Sequence, residues 1–263
     1  MQISGSNVLL TGATGGIGHA IARALHARGG QLLLTGRRAE VLEPLSAELG
    51  ARALSADLSD RVQVERLLDD AGQVDILLAN AALPASGRLD SFSVEEIDRA
   101  LEVNLRAPIV LARGLLPAML ARGHGHLLFV SSLAGKAPTP GSSIYSASKS
   151  GLRGFASALR AELHGSGVGV SAVFPGFIRD AGMFADADVE LPSGVGTRTP
   201  EDVARAVVTA IENDRGEIDV APMPLRLGAM FAGLAPTLAS SVSRRMGSDE
   251  IAAQMEAGQR EKR

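Results

Sequence analysis

The sequence predicts a single-domain α/β protein. From residue 5 to about residue 180, short apolar segments alternate with amphipathic helical segments, which is typical of βα units with parallel strands. No repeat, low-complexity stretch or linker interrupts this alternation. A glycine-rich turn joins the first strand to the first helix. The chain has 263 residues, which is within reach of one such domain and ample for a large core.

The first βα unit is SNVLLTGATGGIGHAIARALHARG, with residues 8–10 as the strand. Gly12, Gly16 and Gly18 have no Cβ, so the backbone can turn tightly and approach a ligand closely. The helix that follows directs its free N–H groups and positive dipole end at the turn, which suits a pyrophosphate. The spacing differs from the general dinucleotide fingerprint, and His19 in place of lysine excludes a P-loop. A glycine turn that serves only strand-to-helix packing is the alternative.

Tyr145 and Lys149 stand four residues apart, on one face of a predicted helix. A tyrosine has an ordinary pKa of about 10, and a neighbouring cation favours the phenolate and lowers that value. The pair is therefore a candidate acid/base device, and Tyr145 is the only tyrosine in the chain. Two such residues also occur on solvated helices without any such role.

Further motifs occur at matching separations: TGATGGIG from residue 11, NAA at 80–82, Asn104, SSLAG at 131–135, YSASK at 145–149 and PG at 175–176. Over about residues 5–180 the chain resembles the classical short-chain dehydrogenase/reductase family. The resemblance implies a doubly wound, mainly parallel seven-stranded sheet with helices on both faces, a Rossmann-like fold.

The resemblance also implies catalytic roles. In the reductive direction Tyr145 would donate a proton to the developing alkoxide, and Ser132 would hydrogen-bond the same oxygen. Ser132 is preferred over Ser131 because it stands thirteen residues before the tyrosine, the family spacing. Lys149 would lower the Tyr145 pKa and hold the nicotinamide ribose, and Asn104 would bind a water that links the lysine to solvent. Taken alone, the serine is equally a turn cap and the asparagine an ordinary helix residue.

The end of the second strand, QLLLTGRR, bears on the choice of cofactor. An acid at Gly36 would bind the 2′-hydroxyl of NAD, whereas an arginine fits the 2′-phosphate of NADP. Gly36 leaves space there, and Arg37 has the planar fork and charge that match a phosphate. NADP is therefore predicted, with NAD the less favoured cofactor and a solvated Arg37–Arg38 pair as the alternative.

By the resemblance, the predicted cofactor-binding positions are Gly12, Thr14, Gly16, Ile17, Gly18, Gly36, Arg37, Arg38, Asp57, Leu58, Asn80, Ala81, Tyr145, Lys149, Pro175, Gly176 and Ile178. Asp57 would lie near the adenine amine, and Asn80 beside the adenine ribose. The family often has a threonine where this chain has Asp180, and a carboxylate can accept from the nicotinamide amide but cannot donate to it.

Composition excludes several other kinds of site. The chain has no cysteine, so disulfides, thiolate metal sites and a thiol nucleophile are excluded. Its histidines form no metal-binding pair, so no metal site is predicted, and His124 and His126 are expected at the surface. The net charge is −3, with basic residues spread along the chain, so no nucleic-acid partner is expected.

The start and end of the chain give further expectations. The first strand begins within about seven residues, without a basic n-region, so a cytoplasmic location is expected. Residues 181–198 are predicted as a substrate loop, or else a plain surface excursion. Residues 221–263 form a C-terminal extension that covers the cleft or makes a subunit contact. Within it, residues 228–242 are too short to span a bilayer; membrane attachment there is the less favoured interpretation, left open by the arginines that follow.

Small residues mark the helix after Tyr145: Ala147, Gly151, Gly154, Ala156 and Ala158. By the resemblance they imply a homodimer or homotetramer, although packing within one subunit explains them equally well. The predicted function is hydride transfer between NADP(H) and a carbonyl or secondary alcohol of an apolar or amphipathic small molecule. A non-catalytic NADP-binding regulator on the same fold and a sugar-nucleotide epimerase or dehydratase are the alternatives.

Overall fold

A computed structural model describes residues 1–187, 191, 195–235, 237–238, 241 and 248–259. Its centre is a seven-stranded sheet in the order β3-β2-β1-β4-β5-β6-β7. All neighbouring strands pair in parallel. The strands are β1 Asn7–Thr11, β2 Gln31–Gly36, β3 Arg52–Ser55, β4 Ile76–Ala79, β5 Gly125–Val130, β6 Val168–Pro175 and β7 Glu217–Val220. The predicted doubly wound α/β fold is confirmed.

Helices cover both faces of the sheet. The α-helices are α1 Gly16–His26, α2 Ala39–Leu49, α3 Arg61–Ala71, α4 Val94–Leu101, α5 Ala107–Arg122, α6 Ser143–Glu162, α7 Pro200–Glu212, α8 Met223–Leu234 and α9 Ser248–Gln259. Short 3₁₀ turns occur at Leu89–Ser91, Leu133–Gly135 and Ala185–Ala187. Helices α1, α2 and α7 pack on one face, and α3, α5 and α6 pack on the other.

The strands are apolar on both sides because both faces are covered. Leu9 and Leu77 join the core beneath α3, α5 and α6, whereas Leu10 and Leu78 join the core beneath α1 and α7. Successive strand residues point to opposite faces, so a strand with two buried faces reads as a continuous apolar run.

A helical rod runs from Val94 to Arg122 through a π-helical turn at Glu102–Arg106. It begins at the predicted capping box, in which Ser93 and Glu96 satisfy each other's backbone N–H groups. Within the described part of the chain, this rod is the one helix long and apolar enough to cross a membrane by length and composition. Leu111 and Met119 on it are fully buried in the main core, as expected of a helix packed on a sheet.

The parallel sheet brings the carboxyl ends of its strands to one edge. There the chain places the glycine turn after β1, Gly36 at the end of β2, Asn80 after β4, Ser131 after β5 and Gly176 after β6. Open α/β sheets bind ligands at this edge.

His126 is fully buried, so its predicted surface position is wrong. It lies in β5, in the middle of the sheet, and pairs with β4 and β6 on either side. Its Nε2 lies 2.9 Å from the Ser171 hydroxyl. The strand begins at Gly125, one residue before His126, and so includes it.

This burial predicts acid sensitivity of the fold. Burial lowers the pKa of His126 from 6.5 to about 4, so the unfolded chain takes up this proton at a higher pH than the folded chain. The contribution is present above pH 6.5 and is lost as the pH falls towards 4; between pH 7 and 5 it amounts to about 2 kcal/mol. We expect His126→Asn to lose less unfolding free energy over this range than the wild type in urea titrations. His124→Asn, at an exposed position, should match the wild type.

Candidate active site

The glycine turn after β1 forms a cradle that side chains would fill. Gly12 has φ +66°, and a Cβ there would lie 2.6 Å from the Ala81 Cα. A Cβ on Gly18 would lie 2.2 Å from the Gly12 carbonyl oxygen. Helix α1 begins at Gly16, its Ncap residue Gly15 has no capping side chain, and its first turn contains no acid. These residues fit the pyrophosphate of a dinucleotide, because α1 presents free N–H groups there.

Asn80 supports this cradle from β4. Its Nδ2 donates to the carbonyl oxygens of Thr11 and Gly12, each at 3.1 Å. Its own N–H donates to the Thr11 hydroxyl at 3.1 Å. The Asn80 side chain therefore stabilises the turn. The ribose position predicted beside Asn80 is left to its backbone.

The end of β2 differs from the prediction in one respect. Gly36 does not leave space for a side chain, because a Cβ there would lie 2.7 Å from the Thr14 Cγ2. Thr14 is held in place by Arg38, whose Nη2 donates to the Thr14 carbonyl oxygen at 2.7 Å. Arg37 is exposed and lines the cleft beside this pair. The two arginines thus have different surroundings: Arg38 contacts the glycine turn, whereas Arg37 is exposed at the cleft.

Asp57 and Leu58 line the same end of the cleft. Burial acts to raise the Asp57 pKa, but hydrogen bonds from Ser59 and the charges of Arg37 and Arg99 bring the pKa below its ordinary value. Ser59 donates to the carboxylate through both its N–H, at 2.9 Å, and its hydroxyl, at 2.7 Å. The carboxylate is therefore ionised and fixed at neutral pH.

Ser132 and Tyr145 both line the cleft, and the Ser132 hydroxyl lies near enough to the phenol to affect its pKa. Ser132 follows β5 and caps the short turn Leu133–Gly135, with its Oγ accepting from the Ala134 N–H at 3.2 Å. Neighbouring Ser131 has another contact: it is buried, and its hydroxyl donates to the Lys149 carbonyl oxygen at 3.0 Å. The arrangement supports the predicted choice of Ser132, since Ser131 ties β5 to α6.

Lys149 lies one turn below Tyr145 on α6, and its side chain is buried. Its Nζ donates to the Val130 carbonyl oxygen at 3.1 Å and lies 5.7 Å from the centroid of the tyrosine ring. Burial lowers the pKa of Lys149 to about 8.

The pKa of Tyr145 has the opposite direction from the predicted one. Burial raises it, and the hydrogen bond with Ser132 lowers it by less. The physical reason is burial of the phenol, which outweighs the other contributions; the Lys149 ammonium lies over the ring face and donates to the Val130 carbonyl oxygen.

Asn104 lies buried in the π-helical turn. Its Oδ1 accepts from the Leu83 N–H at 2.6 Å, and its Nδ2 donates to the Leu83 carbonyl oxygen at 2.9 Å. A π-turn widens a helix locally and is frequent at functional sites. Here the turn lets one side chain hold the loop after β4, a positioning role that the sequence did not indicate.

The cleft has a volume of about 1430 Å³. Pockets for one drug-sized ligand measure roughly 300–1,000 Å³, so the cleft has room for a dinucleotide and a substrate together. Pro175, Gly176 and Ile178 line it after β6. Its outer part is lined by apolar residues: Leu83, Pro84, Pro138, Met183, Phe184, Leu225, Phe231, Ile251 and Met255.

The sequence predicted residues 221–263 as a cover of the cleft or a subunit contact, but it did not identify which residues of α8 and α9 line the cleft. Helix α9 places Ile251, Ala252, Met255 and Gln259 on the cleft, at a helical spacing that is a usable but weak signal. The Gln259 Nε2 donates to the Met183 carbonyl oxygen at 3.2 Å. Some residues of α8 and α9 thus lie against the cleft, as in one of the two expectations for residues 221–263.

Asp180 lies outside the described lining of the cleft. It has φ +68°, its side chain is exposed, and its carboxylate pairs with Arg179 at 3.3 Å. The carboxylate therefore lies at the surface beside Arg179. Of the predicted loop 181–198, residues 188–190 and 192–194 lie outside the described residues, while Met183 and Phe184 line the cleft.

Histidine and acidic side chains are the groups that could hold a metal ion in this chain. Within the described ranges, no three histidine or acidic residues form a group that could hold a metal ion.

Comparison with known proteins adds to this geometry. A family model described as short chain dehydrogenase matches residues 6–190. Ketoacyl reductase HetN of Nostoc sp. is 38% identical over 232 residues, which cover 85% of this chain and 81% of that protein. Dehydrogenase/reductase SDR family member 7B of Bos taurus is 34% identical over 257 residues, covering 88% of this chain and 78% of that protein.

Solved structures are similar over most of their length. A short-chain dehydrogenase from Sphingobium yanoikuyae in complex with NADPH aligns with TM-score 0.77 and 27% identity, covering 89% of this chain and 95% of that one. A putative betaketoacyl-ACP reductase aligns with TM-score 0.77 and 30% identity, covering 85% and 99%.

Proposed function

Because the chain belongs to the short-chain dehydrogenase family and is an NAD(P)-dependent oxidoreductase, we propose that it transfers hydride between NADP(H) and a carbonyl or secondary alcohol of an apolar or amphipathic small molecule. The observation that carries the proposal is that Ser132, Tyr145 and Lys149 line one cleft together with the glycine turn and a set of apolar side chains.

When bound, the nicotinamide would supply or accept the hydride, and the protein has one proton to manage. In the reductive direction the Tyr145 hydroxyl donates its proton to the substrate oxygen. The Ser132 hydroxyl donates a hydrogen bond to the same oxygen and stabilises its developing charge. Lys149 holds the ribose hydroxyls, and Asn104 keeps the loop at Leu83 in place beside the substrate.

The proposed preference for NADP rests on Arg37. Its guanidinium is exposed at the end of β2, beside a glycine and not beside an acid. A 2′-phosphate would gain charge-assisted hydrogen bonds there, whereas the 2′-hydroxyl of NAD would find no carboxylate at Gly36. Several structural neighbours were solved with NADPH or NADP⁺, which agrees with this choice.

We also propose the remaining site assignments, the cellular location and the oligomeric state. The predicted cofactor positions from Gly12 to Ile178 are assigned as contacts of this dinucleotide, and residues 181–198 with α8 and α9 as the substrate cover. We place the enzyme in the cytoplasm as a homo-oligomer. Ala147, Gly151, Gly154 and Ala158 support the oligomer because they form an exposed face of small residues on α6.

NADPH oxidation with a panel of ketones tests the proposed reaction. We expect turnover that rises with the apolar size of the ketone, because the outer cleft is lined by apolar side chains. A protein that binds NADPH but oxidises it with no member of a broad panel would be a cofactor-binding regulator.

The double role of Lys149 gives a further expected result. Lys149→Met should weaken cofactor binding and move the rising limb of the pH profile of kcat/KM for alcohol oxidation to higher pH. Oxidation needs the phenolate, and the variant removes a cation that favours it. The pH profile and the NADP⁺ Kd measure the two effects separately. If the NADP⁺ Kd rises while the pH profile is unchanged, Lys149 contacts the ribose but does not affect the ionisation of Tyr145.

A further inference from the structure

Helix α8, Met223–Leu234, is apolar apart from one residue, Arg226. One side faces the cleft, where Leu225, Ala229 and Ala232 contribute to the lining. A helix that lined a cleft and otherwise faced water would carry polar residues on its opposite side. No polar residue lies along the middle of the opposite side of α8.

That opposite side is formed by Met223, Leu227, Met230 and Leu234, named here the outer stripe. The residues recur at spacings of four, three and four, so they lie along one line on the helix. Their exposed fractions are 58%, 57%, 64% and 86%. Contiguous exposed apolar patches of this kind mark protein or membrane interaction sites.

The charges in the stretch of sequence that contains the outer stripe have one sign. Between Val220 and Gly247 the sequence contains three arginines, at 226, 244 and 245, and no acidic residue, in a chain whose net charge is −3. Arg226 is exposed and stands three residues after Met223 and four before Met230, on the flank of the stripe. An apolar stripe with an arginine on its flank, in a segment of sequence that contains no acid, suits a surface of anionic lipid headgroups.

We propose that the outer stripe docks on an anionic lipid bilayer, with α8 lying in the plane of the membrane interface. A second copy of the chain is a poorer occupant, since a two-fold contact through the stripe brings Arg226 towards its own copy. Phe231 connects the two sides of the helix: it is 46% exposed and also lines the cleft. Docking therefore places the mouth of the cleft against the lipid, whatever reaction the site performs.

Vesicle flotation of the full chain tests the proposal. The probes are vesicles of phosphatidylcholine alone and of phosphatidylcholine with phosphatidylglycerol, at low and high salt. We expect the wild type to float with the anionic vesicles, with at least tenfold less binding to the neutral ones, and with weaker binding at high salt. Leu227→Glu with Met230→Glu should lower anionic-vesicle binding at least tenfold, and Arg226→Glu about fivefold or more.

The matched control is Val62→Glu with Val94→Glu, which adds the same charge at apolar positions that are 53% and 67% exposed on other helices. It should float as the wild type does. Thermal unfolding and NADPH binding, expected to be unchanged in all variants, show that the fold and the cleft are intact. Three outcomes would overturn the proposal: a wild type that floats with neither vesicle or equally with both, a stripe variant that floats like the control, or a stripe variant whose only change is a halved solution mass. The last result would assign the stripe to a second copy.

Discussion

Replacing Tyr145 with phenylalanine should lower kcat for ketone reduction by about 10² to 10⁴-fold, the usual contribution of a positioned acid/base group. The substitution removes one hydroxyl that contacts Ser132 and leaves the ring in its place on α6. We therefore expect the unfolding temperature and the NADPH Kd to remain close to those of the wild type. Single-turnover reduction of a ketone that the wild type accepts is the measurement.

The controls separate loss of the proton donor from loss of structure. Ser131→Ala removes a hydroxyl from the residue next to the proposed pair, but one that donates to the Lys149 backbone and not to a substrate. Its effect should fall on stability more than on kcat. Turnover by Tyr145→Phe above about a tenth of the wild-type rate would remove the phenol from the mechanism.

The second large effect is expected at Arg37, through the choice of cofactor. Arg37→Ile should lower kcat/KM for NADPH by roughly ten- to two-hundred-fold, the equivalent of one lost charge-assisted contact of about 1.5–3 kcal/mol. NADH, which has no 2′-phosphate, should be used almost as before. The NADPH loss should be larger at low salt, where an exposed phosphate contact is least screened.

Arg38→Ile is the matched control, with the same change of residue type one position along. Arg38 holds the Thr14 carbonyl oxygen, so its loss should loosen the glycine turn and affect both cofactors alike. A wild type that prefers NADH, or an Arg37→Ile variant that keeps its NADPH preference, would show that Arg37 is a solvated loop residue. Adding an acid at Gly36 is a poor test here, because its Cβ would collide with Thr14.

Most of the fold could be predicted because its signals are local. Apolar strands covered on both faces, a glycine turn before a helix and the capping box at Ser93 each lie within a few residues of sequence. The burial of His126 could not be predicted from such local signals. Its burial depends on β4 and β6 pairing on either side of β5, and those strands are distant in the sequence.

The same distinction between local signals and tertiary packing applies to the candidate site. The residues that follow strands could be identified because parallel strands bring their carboxyl ends to one edge. The contact between Gly36 and Thr14, the Asn104 bonds to Leu83 and the seating of α9 on the cleft depend on tertiary packing. These contacts cannot be read from the spacing of residues along the chain.

The seating of Tyr145 in the cleft has a spectroscopic consequence. The chain has one tyrosine and no tryptophan, so the proposed catalytic phenol dominates the near-ultraviolet absorbance and the intrinsic fluorescence of the cofactor-free protein. An ultraviolet titration of the unlabelled wild type therefore reads the ionisation of one functional group directly. Ligands that enter the cleft and carry no chromophore can be followed by the same signal, without a probe or an engineered reporter.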